Sequence, residues 1–353
     1  TDIVPDEGEI SIEDMIANEP VIITITHNGL IKRTNLSSYR SQRRGGSGVI
    51  DITTKESATP EGDDGDFVEH LYTANTHDYM LFFTDTGRVY VVRVFDIPSM
   101  GRASKGRSIA NILELKEGEK VAALMCIPAE LGPNREDITW KQPYYVFFAT
   151  KNGIVKKTKL EEFANIRKDG IIAINIEPED KLIGVQRTSD NDEIVLITKN
   201  GQSIRFPEDD VRPTGRNTIG VKGIELEGDD AVVALSVVVP GSTLLVVGEN
   251  GIGKRTDFNE YRKQSRGGKG VITMKTTDKT GVVVGALPVN DDDEVMLITE
   301  KGKMVRIPIK DIRKTGRATQ GVKLIELAEE DKLQAIAPVI NEDKDEENQN
   351  PVS

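Results

Sequence analysis

The sequence has a single cysteine, Cys126, and only three histidines, His27, His70 and His77, among 353 residues. A lone thiol excludes an intramolecular disulfide framework and fits a reducing compartment. These four side chains are scattered, without the paired spacing of a metal site. Apolar runs are short, and none approaches the roughly 18 residues that a membrane span requires. The amino-terminal stretch Thr1–Gly8 is acidic and lacks a signal peptide's basic start and apolar middle. No long segment carries a helical period, and no nucleophile, base and orienting group stand together in a recognisable set. A soluble, cytoplasmic, non-catalytic chain without a cofactor or metal is the expectation.

What the sequence does have is repetition. Six segments share one plan: an apolar strand, a turn ending in Gly, a second strand, a basic loop, and a Gly before another apolar run. They open as "VIITITHNGLIKRT" (21–34), "YMLFFTDTGRVYVV" (79–92) and "YVFFATKNGIVKKT" (145–158). The later three are "IVLITKNGQSIRF" (194–206), "LLVVGENGIGKRT" (244–256) and "VMLITEKGKMVRI" (295–307). The turn glycines are Gly29, Gly87, Gly153, Gly201, Gly251 and Gly302, and four of them follow Asn. Asn-Gly predicts type I′ hairpins, in which both central residues have positive φ. A second glycine (Gly48, Gly106, Gly170, Gly220, Gly270 or Gly321) lies 19 residues beyond the turn in five repeats and 17 in the third. Counting the apolar pair that follows, each unit of about 50 residues holds about four strands.

A four-stranded unit leaves a face that only a neighbour can bury. The spacing therefore predicts an all-β, propeller-like disc of six four-stranded blades, with an open β-solenoid as the competing geometry. Short strands between turn signals favour the disc. The blades are expected at 20–77, 78–128, 143–190, 191–240, 241–290 and 291–340. Residues 129–143 interrupt the period as an insertion between the second and third. Residues 1–19 form an acidic lead-in, and 341–353 an acidic tail whose composition predicts disorder.

A net charge of −12 argues against a polyanionic partner only if the charge is evenly spread. It is segregated instead. Residues 21–54 hold Lys32, Arg33, Arg40, Arg43 and Arg44 against the single acid Asp51, whereas residues 1–19 hold seven acids and no base. Four residues after the turn glycine stand Arg33, Val91, Lys157, Arg205, Arg255 and Arg306, basic in five repeats of six. Fifteen residues after it stand Arg44, Arg102, Lys168, Arg216, Arg266 and Arg317, basic in all six. In a disc, equivalent positions lie on one circle, so these side chains predict a basic ring. Duplex DNA bent around a rim suits such a ring, through contacts that are blind to sequence and sensitive to salt. Bending costs about 1–6 kcal/mol for each 20–30 base pairs, within reach of about a dozen phosphate contacts. One alternative is charge that is merely solvated surface; another is a ring that docks an acidic protein.

Three tempting motifs fail on their context. "GENGIGKR" (248–255) resembles part of a phosphate-binding loop, but Arg255 stands where Ser or Thr is needed and the stretch reads as a hairpin. Tyr39 and Tyr261 have Ile97, Phe163, Val211 and Ile312 as equivalents, which marks a core anchor rather than a nucleophile. The run Asp291–Asp293 reads as a solvated turn rather than a calcium loop.

Residues 10–49, "ISIEDMIANEPVIITITHNGLIKRTNLSSYRSQRRGGSGV", resemble the start of the carboxy-terminal domain of bacterial DNA gyrase A, as does "DFVEHLYTANTHDYMLFFTDTGRVY" (66–90). Gln42, Arg43, Arg44, Gly45, Gly46, Ser47 and Gly48 are similar to that family's heptapeptide Gln-Arg-Arg-Gly-Gly-Lys-Gly, with Ser47 in place of Lys. A second copy, Gln264 to Gly270, has Ser265 in place of Arg and keeps Arg266 and Lys269. The resemblance runs over about residues 8–340. It implies a six-bladed β-pinwheel whose blades exchange strands with their neighbours. It also implies a monomeric, non-catalytic domain that wraps double-stranded DNA in a positive sense, so that the full enzyme introduces negative supercoils using ATP. The implied partners are the rest of gyrase A and the gyrase B protein in an A2B2 enzyme, with ATP and Mg2+ used outside this chain. The topoisomerase IV subunit is similar but usually has a degenerate heptapeptide, so the near-intact first copy favours gyrase. Glycines 45, 46 and 48 would let the backbone approach a phosphate, and Arg43 and Arg44 would supply forked cationic contacts. A cluster of glycines that only closes the blade is the alternative.

Overall fold

The structure is a computed structural model that describes residues 12–36, 66, 68–101, 104–133, 136–301 and 304–339. The heptapeptide 42–48, Arg102, Gly302 and the tail 341–353 lie outside the described residues. Six antiparallel sheets make up the fold, and the only helical elements among the described residues are short 3-10 turns. The third sheet shows the plan: Leu182–Thr188, Tyr145–Thr150, Ile154–Lys159 and Val221–Lys222, from the centre of the disc outward. The innermost strands of successive sheets pack on one another, and Leu333–Val339 of the last sheet meets Val68–Asn75 of the first, closing the ring. This is the expected six-bladed disc, not an open solenoid.

In space, a blade does not coincide with a contiguous repeat. The outermost strand of each of the first five sheets comes from the next repeat: Arg107–Ser108, Ile171–Ile172, Val221–Lys222, Val271–Ile272 and Val322–Lys323, in order. The sixth sheet has three strands among the described residues. The equivalent pair in the sequence, Val49 and Ile50, lies outside them.

The second strand of each sheet is an almost continuous apolar run because it is covered on both faces. Alternate side chains point to opposite sides of a strand, and here each side is a different neighbour. Val146 and Phe148 join Leu81 and Phe83 of the second blade. Phe147 and Ala149, from the same strand, join Ile194 and Leu196 of the fourth. Ile194 and Leu196 face one way, while Val195 and Ile197 pack with Leu244 and Val246 of the fifth. The core is thus a set of slabs between sheets rather than a single centre. Ile97, Phe163, Val211, Tyr261 and Ile312 are all buried in these slabs, as their interchange in the sequence implies.

The hairpins differ from the type I′ turns that Asn-Gly suggests. Positive φ occurs at Gly29, Gly153, Gly201 and Gly251 but not at the preceding Asn residues. The glycine amide donates to the carbonyl three residues earlier, as Gly201 does to Thr198 at 3.1 Å, so a tight turn precedes a left-handed glycine. A threonine supports this turn in four repeats, while Gly248 stands at its place before Gly251. Thr26, Thr84, Thr150 and Thr198 each accept, through the side-chain hydroxyl, the amide N–H four residues on, at 3.0–3.2 Å. The residues 129–143 are more than a surface excursion, since Trp140 packs edge-on against Tyr79 at 5.1 Å and joins the slab between the second and third blades.

Two alanine substitutions separate the roles of glycine conformation and of close packing. Gly201 has φ +85°, and a Cβ there would lie 2.1 Å from the Met274 carbonyl oxygen; Gly241 has φ +79° and nothing within 4 Å. Gly241→Ala is expected to cost about 1–2 kcal/mol for the left-handed backbone. Gly201→Ala should cost about 1–3 kcal/mol more, because the clash is with main chain. Denaturant melts of both variants check the difference.

Candidate nucleic-acid interface

Four of the basic loops are laid along the edge of the preceding blade. The amide of Thr214 donates to the Lys157 carbonyl at 2.8 Å, Gln264 to Arg205 at 2.8 Å, Thr315 to Arg255 at 2.9 Å and Met100 to Arg33 at 3.0 Å. The loop then ends at its glycine and feeds the two-residue outer strand. Gly220 and Gly270 pass so close to the preceding blade that a Cβ would lie 2.4 Å from the Val155 carbonyl oxygen and 2.0 Å from that of Ser203. The loops are therefore held at the circumference, in equivalent places from blade to blade.

The two basic rows separate in depth. The row four residues after the turn glycine faces the neighbouring blade. Arg33 donates to the carbonyls of Ile97 at 2.7 Å and Phe95 at 3.2 Å. Arg205 donates to those of Phe258 at 2.7 Å and Tyr261 at 3.2 Å and pairs with Glu193. Arg255 reaches the Ile312 carbonyl at 2.6 Å and pairs with Asp291, whose carboxyl this contact holds below the usual range. Lys157, 1% exposed, lies 3.0 Å from Asp190 and 3.8 Å from Glu208. Arg306 pairs with Glu294. The first four side chains join blade to blade, Arg306 pairs across two strands of its own sheet, and the charge of all five is already committed. Lys32 also turns inward, donating to the Ser104 carbonyl at 2.7 Å and the Gly101 carbonyl at 3.4 Å.

The row fifteen residues after the turn glycine lies at the rim. Arg216, Arg266 and Arg317 are half-buried, and each ties its guanidinium to the outer strand of the preceding repeat. Their acceptors are the carbonyls of Ile172 at 2.9 Å, Lys222 at 3.1 Å and Ile272 at 2.8 Å. Lys168 is exposed, 3.2 Å from Glu114. Arg44 and Arg102 lie outside the described residues.

The second heptapeptide copy is fully described. With Arg262 and Lys263 it lines a shallow cavity of about 410 Å³, bounded by Gln264, Ser265, Gly268, Lys269 and Gly270. Lys269 is exposed and pairs with the exposed Glu227 at 2.5 Å, a hydrogen bond that raises the ammonium pKa and lowers that of the carboxyl. Solvent screens such an exposed pair, so a phosphate can displace the glutamate.

Three sets of residues escape the two counted rows. Arg212, Arg262 and Arg313, with Lys263 and Lys314, are exposed on the same loops, eleven and twelve residues beyond the turn glycine. An acid recurs nine residues beyond it. Glu162, Asp210 and Glu260 accept the amide N–H of Arg216 at 3.2 Å, Arg266 at 3.2 Å and Arg317 at 3.0 Å, so each anchors the next repeat's rim arginine. Lys156 and Lys254, one residue before the inward row, are fully buried. Counting further from the same glycine would have found all three sets.

A closed disc of six sheets, with basic loops repeated at its edge, defines a propeller built to present positive charge circumferentially. The family described as DNA gyrase C-terminal domain, beta-propeller, matches over residues 20–71, 78–128, 144–189, 192–238, 242–290 and 293–340. The chain belongs to this family. It is 42% identical over 346 residues to the DNA gyrase A protein of Mycolicibacterium smegmatis, covering 98% of this chain and 39% of that protein. It is also 42% identical over 347 residues to that of Salmonella typhimurium, covering 98% and 38%. The chain thus spans about two fifths of the length of these relatives. Among solved structures it is similar to the C-terminal domain of DNA topoisomerase IV, with a TM-score of 0.72 and 27% identity over 92% of this chain and 94% of that one. It is similar to a DNA gyrase A C-terminal domain with a TM-score of 0.72 and 25% identity over 91% and 100%. No helix among the described residues is long and apolar enough to cross a membrane.

The difference in depth between the rows has a testable consequence. Lys157→Met leaves the buried Glu208 without its cation and is expected to cost about 3–5 kcal/mol of stability. Lys269→Ala should leave stability almost unchanged. Duplex binding should respond in the opposite order, with a salt slope smaller by about one for Lys269→Ala and unchanged for folded Lys157→Met. Denaturant melts and anisotropy titrations at several ionic strengths check both.

Proposed function

We propose that this chain is the DNA-wrapping domain of a gyrase A protein: it bends duplex DNA around its rim in a positive sense, so that the complete enzyme introduces negative supercoils using ATP. The observation that carries this reading is the equivalent placement of basic loops at the circumference, held by the strand that each of the last five repeats gives to the preceding blade. The contacts fall to the outer row (Lys168, Arg216, Arg266 and Arg317), the second heptapeptide with Gln264 and Lys269, and the exposed Arg212, Arg262, Lys263, Arg313 and Lys314. The first heptapeptide and Arg102 complete the set by sequence. The inward row, Arg33, Lys157, Arg205, Arg255 and Arg306, with Lys32, supports the rim from behind.

The domain performs no chemistry itself. The rest of gyrase A and the gyrase B protein, in an A2B2 cytoplasmic enzyme, supply cleavage, ATP and Mg2+. A topoisomerase IV subunit is the second reading, favoured by the equal likeness to that enzyme's domain. The relatives that bear the gyrase A name and the near-intact first heptapeptide favour gyrase.

Ligation of nicked circular DNA with the protein bound tests the reading, a positive linking-number shift being expected. The variant Arg43→Ala with Arg44→Ala removes two phosphate contacts at one point of the wrap. Binding should weaken modestly, with a salt slope smaller by about two, while the linking-number shift should largely disappear. Saturated variant protein that still shifts linking number like the parent would deny the heptapeptide a special role.

A further inference from the structure

Three residues after the turn glycine, the repeats alternate between two kinds of side chain: Lys32, Lys156 and Lys254 in the first, third and fifth, and Tyr90, Ile204 and Val305 in the others. Lys156 is 1% exposed and Lys254 0%. The Lys156 ammonium donates to the carbonyls of Ala173 at 2.7 Å, Arg216 and Thr218 at 3.4 Å. The Lys254 ammonium donates to the carbonyls of Gly316 at 2.8 Å and Arg317, and to the Thr319 hydroxyl at 3.2 Å. None of these acceptors is a carboxylate. A buried ammonium is a costly way to fill space, and Ile204 fills the same position apolarly in the sister blade.

Apart from Ala173, the acceptors belong to the rim loop of the next repeat, and the loops above a lysine share one sequence. They read Gly-Arg-x-Ser or Gly-Arg-x-Thr at 101–104, 215–218 and 316–319, whereas 42–48 and 264–270 carry the glycine-rich heptapeptide. Only the Gly-Arg design follows a repeat with lysine at that position; the two heptapeptides and the shorter third-repeat loop, 165–170, follow Val305, Ile204 and Tyr90. In that design the ammonium binds the carbonyl of the rim arginine itself, while the guanidinium of the same residue holds the outer strand.

Building on the DNA-binding reading above, we propose that Lys156 and Lys254 are positioning residues, whose ammonium groups hold the loops 215–220 and 316–321 in the shape that presents Arg216 and Arg317 to the DNA backbone. Lys32 makes the same contacts with Gly101 and Ser104.

Burial draws the Lys156 ammonium down to about 7; Glu162 opposes the shift and Arg216 adds to it. Burial draws Lys254 down to about 8, with Glu260 opposing and Arg317 adding. The Phe148 ring, 5.6 Å from the Lys156 nitrogen, is a further neighbour. A phosphate arriving beside either arginine favours the charged lysine. DNA binding is then coupled to proton uptake, and affinity falls as pH rises through about 7 to 8. Folding stability moves the other way. The unfolded lysine keeps its proton to about 10.4, so above about pH 7 the unfolded state binds more protons and the free protein gains stability. A lysine that only packs produces the second trend without the first.

The test measures duplex affinity of the full chain from about pH 6 to 9, with proton uptake read by calorimetry in two buffers of different ionisation enthalpy. The parent should lose affinity by roughly tenfold across the range and take up protons on binding. Lys156→Met with Lys254→Met should flatten the profile, abolish most of the uptake, and speed amide exchange at 215–220 and 316–321 but not at 265–270. Lys156→Arg with Lys254→Arg should restore the grip and make it independent of pH. Parent-like uptake and pH profile in the methionine variant overturn the inference. Should that variant fail to fold, parent-like uptake in the arginine variant does so instead. A parent that binds no duplex at any pH overturns the DNA reading, and this inference with it.

Discussion

The contact on which the rest of this structure depends is the two-residue strand that each of the last five repeats adds to the blade before it. The pairs Val221–Lys222 and Val271–Ile272 hydrogen-bond to strands of the preceding repeat and cover an edge that would otherwise present unpaired backbone groups. To reach it, the chain must cross the gap between blades at the circumference. The loop that crosses is the basic one. Its position at the rim is thus a by-product of completing the sheet, and Gly220 and Gly270 recur because no side chain fits where the crossing touches the previous blade.

This arrangement explains why one basic pattern splits into two functions. A cation inside the crossing, such as Lys157 or Arg255, meets the carboxylates and carbonyls of the adjoining blade and loses its water. A cation on the crossing, such as Lys269, keeps its water and holds its partner weakly. Replacing solvent by fixed protein dipoles makes the inner row strong and unavailable. An exposed cation such as Lys269 stays weakly paired and, on the reading proposed above, exchangeable for phosphate. A formal charge of −12 does not prevent this, because acids such as Glu193 and Glu208 are spent on the inner row.

Most of the architecture was legible in the sequence. Runs such as "YVFFAT" and "EIVLIT", the turn glycines and the constant interval to the loop glycine describe a disc of small sheets, and the structure has them. The depth of each charge was not legible. Arg205 and Arg216 look alike as letters, and which one turns inward depends on where the next repeat lies. Donation of the outer strand was implied by resemblance alone, since Val221–Lys222 is too short to declare its partner. The Asn-Gly turns misled because the left-handed conformation falls on the glycine alone, and Thr26, Thr150 and Thr198 add an acceptor that a two-residue hairpin does not use. The recurrent acid of Glu162, Asp210 and Glu260 carried a readable period, but as letters it merges with the acidic connectors.

The donated strand also orders events in time. On a growing chain, the third sheet cannot gain its edge until Val221 and Lys222 have been made, some sixty residues after Lys159. Each blade leaves the ribosome unfinished and is sealed by the next one to emerge. At every moment of synthesis one open edge travels at the end of the folded part, and the only strand of matching shape within reach is the one about to be added. A nascent disc of this kind assembles in sequence, blade upon blade, with each of the first five edges sealed by the repeat that follows it.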